Sequence, residues 1–311
     1  MLIVLPFYDR LKIFPLVLDS IISSGIEDIQ ENVKLVVVNN NHKLIKEVDD
    51  CIKNLKNNGD VDIFSVHRNP PMAPLDSWFD AIKNFSVEGE AVALIGDDDL
   101  AVKGGFKKRL DALEVNKCDF LLCKYFDRLF FYDNIKSFWY SGEDNIINNF
   151  KNLIVEEYVY TEPNGVEASF MSNHTYRNSK HLWDGFELAK RWASEHEDRG
   201  IPSSLATATI PFYLSYTIAI VGGTINQANI YPVIRGGIVE DITSRQYSGG
   251  GSTALFGLLN LDVLSNKVKT LDQNSFKLLK NRFEKAITKG IIGIIFSKDI
   301  KINILLYLLK S

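Results

Sequence analysis

Ala91-Val92-Ala93-Leu94-Ile95-Gly96-Asp97-Asp98-Asp99-Leu100 sets five apolar residues directly against three consecutive carboxylates. An apolar run of that length suits a strand buried on both faces, and Gly96 ends it, so the acids fall at the carboxyl end of a strand. Working back from there, Leu2 to Phe7 is another apolar run, Val33 to Val38 reads as a second buried strand and Val61 to Val66 as a third strand. Between the four lie segments with apolar residues at helical spacing: Leu11 to Ser24, stopped by Gly25; Leu44 to Asn57, closed by Asn58-Gly59; and Asp76 to Phe85, with Asp76 as the expected N-cap. Doubly apolar strands alternating with helices predict an α/β fold with a mainly parallel sheet flanked by helices. In such sheets ligands bind beyond the carboxyl ends of the strands, where the three acids stand.

Beyond Leu100 the rhythm changes. Phe106 to Leu113 reads as a helix, and Phe120 to Tyr125 and Leu129 to Tyr140 as strands hinged at Asp133-Asn134. Further helices are expected at Asp184 to Ser194, Ser203 to Ser215, Thr253 to Leu264 and Asn274 to Thr288. Glycine clusters at 222–223, 236–237 and 249–251 mark loops. The second half is therefore α+β, with no internal repeat and no clean linker.

The chain has 311 residues, 46% hydrophobic and 24% charged, which excludes a disordered tail, a fibre or a small stapled scaffold. A net charge of −4 excludes nucleic acid as a general partner. That average conceals an asymmetry: from Asn266 to Ser311 ten Lys or Arg face three acids, so this stretch carries +7 and the rest −11. Within it, the apolar runs 291–296 and 302–309 flank Lys298, Asp299 and Lys301. Short apolar stretches beside lysines suit helices that lie on an anionic membrane surface through 290–311, or a pair that packs to complete the core or a homodimer interface. The residues before Pro6 do not have the form of a signal peptide, and no window has 18 uncharged apolar residues, so the expectation is a cytoplasmic protein, peripheral at most at the inner face of the membrane. Cys51, Cys118 and Cys123 show no CxxC spacing and read as reduced thiols.

Three like charges at a strand end repel one another, and a divalent cation relieves that repulsion; Mg²⁺ or Mn²⁺ uses one or two carboxylates together with substrate phosphates. The alternative is a solvated turn in which Asp97 or Asp99 caps the next helix. The order of motifs resembles that of the family 2 glycosyltransferases of GT-A, Rossmann-like fold. Their opening Pro-x-Tyr-Asn is matched by Pro6-Phe7-Tyr8-Asp9, their second strand by Leu35 to Asn40, their Asn-x-Gly segment by Asn69 to Trp78, and their DxD-type motif by Asp97-Asp98-Asp99. Asn39 stands where the pattern commonly has Asp, and Pro70-Pro71 where it has glycine. The match spans roughly residues 1 to 114.

The resemblance implies a metal-dependent, inverting enzyme that moves a sugar from a nucleotide diphosphate donor to a hydroxyl of a saccharide, free or lipid-linked, in surface polysaccharide synthesis. It implies a donor site lined by Pro6, Tyr8 and Asp9, with Asn39 by the base, Asp97 or Asp98 on the ribose or sugar, and Asp99, joined by Asp97, on Mn²⁺ or Mg²⁺. It also implies a carboxylate base in the second half, for which Ser194-Glu195-His196-Glu197-Asp198-Arg199-Gly200 is the best match, Asp198 first and Glu197 behind it. Trp78 reads as core rather than as a sugar platform. Arg235 and Arg245 flank glycine clusters and suit a loop that closes over the pyrophosphate, or ordinary loop chemistry. His174 and His181 read as acceptor region or plain surface. The expected organisation is 1–115 for the nucleotide sugar, 116–265 for the acceptor and the base, and 266–311 as the basic helical tail. Two rivals share the sheet: a sugar nucleotidyltransferase, which needs a Gly-rich basic loop after the first strand, and a catalytically silent saccharide-binding protein.

Overall fold

A computed structural model describes residues 1–26, 29, 32–56, 61–124, 126–127, 171–199, 203, 206, 209–235, 262 and 284. In chain order the elements are β1 (Leu2–Phe7), α1 (Phe14–Ile22), β2 (Lys34–Asn39), α2 (Ile45–Lys56), β3 (Asp62–His67), α3 (Pro74–Phe85), β4 (Ala91–Leu94), β5 (Leu100–Ala101) and α4 (Gly105–Asn116). They continue with β6 (Phe120–Leu122), β7 (Phe126–Asp127), β8 (His174–Arg177), α5 (Lys180–Asp198), α6 (Ile210–Ile220), β9 (Ile225–Gln227) and β10 (Val233–Arg235).

The main sheet has the order β3-β2-β1-β4-β8-β6-β9. β1, β2, β3 and β4 are mutually parallel, in the registers Leu2↔Lys34, Lys34↔Asp62 and Leu2↔Val92. Both faces of β1, β2 and β4 are buried, which is why their sequences are apolar without alternation. β8 departs from this scheme: it runs antiparallel between β4 and β6, and β9 then lies parallel to β6. A small second sheet, β5-β10-β7, stands beside the acidic turn. The sheet is therefore mainly parallel and flanked by helices, as the sequence predicts. The chain divides into two compact units: the described residues of the first lie within 1–163, 170–183 and 223–238, and those of the second within 184–222 together with Asp262 and Glu284.

Several expected boundaries shift for identifiable reasons. α3 starts at Pro74, whose fixed φ suits a first helical position, so Asp76 lies in the first turn rather than at the N-cap, which is Ala73. There Asp76 faces the positive helix end and Lys83 the negative one. α5 starts before Asp184 and continues through Asp198, beyond the expected end at Ser194. The helix expected over 203–215 is divided: Ser203 and Ala206 are helical, Thr209 lies in a turn, and α6 starts at Ile210 with Pro211 in its first turn. β8, β9 and β10 were not anticipated, and His174, read as acceptor region or surface, is fully buried within β8. Trp78 is half-buried on α3. No helix among the described residues is long and apolar enough to cross a membrane. The expected strand at 129–140, the helices at 253–264 and 274–288 apart from Asp262 and Glu284, the glycine clusters at 236–237 and 249–251, and the tail 290–311 lie outside the described residues.

Candidate active site

The acidic turn leaves β4 next to β1, at the point where the strand order reverses from β3-β2-β1 to β4. Asp99 N–H donates to the Gly96 carbonyl at 3.2 Å and closes the turn. Ser172, 73 residues away from Asp99, holds it from behind: its hydroxyl accepts from Gly96 N–H at 2.7 Å and donates to Asp99 Oδ2. Beneath them Arg109 is fully buried on α4 and donates to the carbonyls of Leu94, at 3.3 Å, and Ser172. Burial pulls the Arg109 guanidinium down to about 10, with the Asp99 charge opposing, so it remains a cation at neutral pH. A fixed positive charge under the turn offsets part of the repulsion among the three acids.

Asp97 is held from the other side. Its Oδ1 pairs with Arg10 Nη1, and its Oδ2 accepts the Tyr8 N–H at 3.3 Å. Burial raises the Asp97 carboxyl above the ordinary carboxylate value of 3.8, against the pull of Arg10 and of the Tyr8 amide. Arg10 Nη2 also lies 3.6 Å from Asp98 Oδ2.

Asp98 and Asp99 converge over Gly96. A Cβ at that glycine would stand 2.7 Å from Asp99 Oδ2 and 3.2 Å from Asp98 Oδ1, so side-chain oxygens from both carboxylates lie near one point above a residue that has no side chain to obstruct them. Hard oxygen donors grouped in this way fit Mg²⁺ or Mn²⁺. Among the described residues no three His, Cys, Asp or Glu side chains form a cation site by themselves. Two carboxylates are the donor set of an ion that completes its shell with phosphate oxygens and water.

Around this turn stand the ends of β1 and β2. Pro6 is half-buried opposite Val38, while Tyr8 is 57% exposed and Asp9 exposed beyond the strand. Asn39 is fully buried: its Oδ1 accepts from Asn41 N–H at 2.8 Å and its Nδ2 lies 3.1 Å from Nδ1 of His67, its register partner on β3. His67 Nε2 in turn lies 3.0 Å from Asp49 Oδ1. The Asn39 orientation set by Asn41 makes its amide the donor to Nδ1, so the ring carries its proton on Nε2, toward Asp49. Asn40 clamps the Pro-rich loop, its amide donating to the Met72 carbonyl at 2.7 Å and accepting from the Met72 N–H at 2.9 Å.

The second acidic group ends α5, in the other unit. Asp198 is exposed, and Glu197 accepts the Ser203 hydroxyl at 2.8 Å. His196, just before them, is buried, with Nε2 2.8 Å from the Tyr213 hydroxyl. Arg199 pairs with Asp262 at 2.9 Å. These acids stand at the negative end of a helix, an arrangement that costs about 0.3–1 kcal/mol per charge. Arg235 ends β10, opposite Asp127 of β7, and Arg245 lies outside the described residues. His181 sits 3.2 Å from Asp119. Arg10, Ser172 and Arg109 are the site's neighbours that the sequence reading passed over; only Arg10, a cation directly after Tyr8-Asp9, stood close to a motif.

No protein-family model matches the chain, and no curated protein matches it. Solved structures do. Residues 1–349 of Staphylococcus aureus TarS in complex with UDP-GlcNAc superpose with a TM-score of 0.56 at 14% identity, over 96% of this chain and 73% of that one. The same piece with UDP gives 0.52 at 13%, over 91% and 70%. The mannosyltransferase PcManGT of Pyrobaculum calidifontis, in complex with GDP-Man and Mn²⁺, gives 0.53 at 11%, over 99% and 78%. Against a longer TarS structure the match covers 96% of this chain and 44% of that one. At such identities the likeness is one of architecture, and it establishes that the chain shares the α/β fold of these structures.

Proposed function

We propose that the protein is a glycosyltransferase that moves a sugar from a nucleotide diphosphate donor to a hydroxyl of a saccharide, with inversion at the transferred carbon. The observation that supports this most is the acidic turn: two carboxylates with oxygens near one point at the strand-order reversal of a sheet that neighbours of the same fold share, neighbours solved with UDP-GlcNAc or with GDP-Man and Mn²⁺.

In this reading Pro6, Tyr8 and Asp9 line the nucleotide, and the end of β2 at Asn39 borders the base. Asp98 and Asp99 hold a Mn²⁺ or Mg²⁺ ion, which when bound supplies positive charge against the diphosphate that leaves. Asp198, with Glu197 beside it, takes the proton from the acceptor hydroxyl as its oxygen bonds to the anomeric carbon and the bond from that carbon to the diphosphate oxygen breaks. The nucleoside diphosphate departs with the bonding pair, and the proton stays on the carboxylate. Arg235 and Arg245 are assigned to the pyrophosphate. A lipid-linked acceptor in surface polysaccharide synthesis, met at the inner face of a membrane through 290–311, suits the basic tail.

The test is calorimetric and thermal-shift binding of UDP, GDP, CDP and dTDP, with and without Mn²⁺, to the wild type and to Asp99→Ala. One nucleotide is expected to bind more tightly with Mn²⁺, and the gain to vanish in the variant. Absence of binding to any of them overturns the reading and leaves a silent saccharide-binding protein in its place.

A further inference from the structure

We infer that Asp97 is the internal counter-ion of Arg10 and not a ligand of the cation, and that the Arg10–Asp97 pair is a positioning device that fixes the donor loop 8–10 on the acidic turn. The inference rests on the reading of that turn as a donor site. Within the triplet Arg10 faces two of the three acids, Asp97 through Nη1 and Asp98 through Nη2 at 3.6 Å. Asp98 and Asp99 reach toward Gly96. Each oxygen of Asp97 has a partner on one short loop: Arg10 Nη1 on Oδ1 and the Tyr8 N–H on Oδ2.

Two physical consequences follow from this division. A dication placed on Asp97 would be drawn up against a guanidinium already bound there, and like charges at that distance oppose binding. Arg10 instead lowers the charge that the triplet presents to a diphosphate. The second consequence concerns Tyr8. Tyr8 is 57% exposed, so packing does little to fix this end of the loop, and the bond from its N–H to Asp97, 89 residues away in sequence, ties its backbone to the turn. Asp97 therefore acts on the nucleotide through Tyr8, and Arg10 holds Asp97 in the orientation that does so. Arg10 Nη2 beside Asp98 extends the same tie to the middle acid.

The experiment is a double-mutant cycle on the full chain with Arg10→Met, Asp97→Asn and the double variant. For each, the Kd of the nucleotide that the wild type binds is measured with and without Mn²⁺, beside the Tm of the ligand-free protein. Each single variant is expected to weaken nucleotide binding roughly 10-fold, since each breaks the charged tie between loop 8–10 and the acidic turn. The factor by which Mn²⁺ tightens binding should stay within about threefold of the wild type in all three variants and collapse in Asp99→Ala. The double variant should recover part of both losses, in Kd and in Tm, because groups that act as a pair are not additive. A collapse of the Mn²⁺ factor in Asp97→Asn makes Asp97 a ligand and overturns the inference; so do losses that simply add in the double variant. A wild type that binds no nucleotide overturns the donor-site reading itself and the positioning role with it, an outcome distinct from the other two.

Discussion

The acidic turn after β4 packs three carboxylates into three residues, and the acidic end of α5 three into four, yet the two groups are assembled in opposite ways. At the turn the side chains that brace it come from elsewhere in the chain: Arg10 for Asp97, Ser172 for Asp99, and Arg109 beneath. Asp99 is 1% exposed, and its hydroxyl partner also ties down the turn's own backbone. At the end of α5, Glu197 meets Ser203 six residues on, Asp198 is exposed, and the buried member is the neighbouring imidazole. A buried and partnered carboxylate keeps one geometry, which suits holding a ligand; an exposed one at a helix end contributes little to the scaffold. Substitutions at the turn should therefore disturb binding and folding together, and substitutions at Asp198 turnover alone.

The largest effect tests that contrast directly. Asp198→Asn should lower the transfer rate by about 10²–10⁴-fold, the range of a positioned general base, while nucleotide Kd and Tm remain those of the wild type. Transfer that survives within tenfold moves the base to Glu197, and a matching loss of nucleotide binding breaks the division between the two groups. Next in size is Arg109→Leu, which leaves the Leu94 and Ser172 carbonyls buried without their donor. Urea unfolding should show a loss of about 3 kcal/mol, since each unsatisfied buried group costs about 1–3 kcal/mol. An unchanged unfolding midpoint would separate the turn from its support. Gly96→Ala is smaller in the same assay, about 1–2 kcal/mol, because the new methyl displaces the Asp98 and Asp99 carboxylates by a few tenths of an ångström. Its signature is a weaker Mn²⁺-dependent gain in nucleotide binding. A gain equal to the wild type's would mean that the two carboxylates do not share a cation.

The contrast also explains what the sequence disclosed. β1, β2 and β4 are apolar runs set off by helices, and the acids after Ile95 fall at the strand end because a buried strand cannot accommodate them. Those features are local, and a window of ten residues contains them. β8 does not have that property: His174-Thr175-Tyr176-Arg177 contains one aromatic and no aliphatic residue, and it is buried because it lies between β4 and β6. Its core is a polar and aromatic one, with Tyr176 stacked 5.2 Å from Phe120 and its hydroxyl 2.6 Å from His174 Nδ1. Arg109 has the same lesson for the site, because an arginine on an amphipathic helix reads as solvated until β4 and Ser172 supply carbonyls for it. Pairings over 87 and 73 residues, Arg10 with Asp97 and Ser172 with Asp99, have no signature in any window of sequence.

A carboxylate outside both groups serves as the control and gives the smallest effect. Asp119, at the start of β6, ties together segments distant in sequence: it accepts the Thr224 N–H at 2.9 Å, the Thr224 hydroxyl at 3.1 Å and the Ser179 hydroxyl at 2.7 Å. Burial pushes its carboxyl up, but these bonds to the ionised form outweigh it and hold the group below the ordinary 3.8. A folded value below the unfolded one means stability that is fully present above about 3.8 and lost as pH falls through the folded value. The difference in unfolding free energy between the wild type and Asp119→Asn should thus be level from pH 7 to about pH 5 and shrink below pH 4. Asp97 carries the opposite sign: burial raises it, so its ionisation costs stability at neutral pH, and that cost is relieved as pH falls through its folded value toward 3.8. The wild-type advantage over Asp97→Asn should accordingly grow on acidification where the advantage over Asp119→Asn declines. Two curves with the same slope would mean that the Asp97–Arg10 contact behaves as an ordinary stabilising ion pair, and that the turn is built like the rest of the fold rather than at its expense.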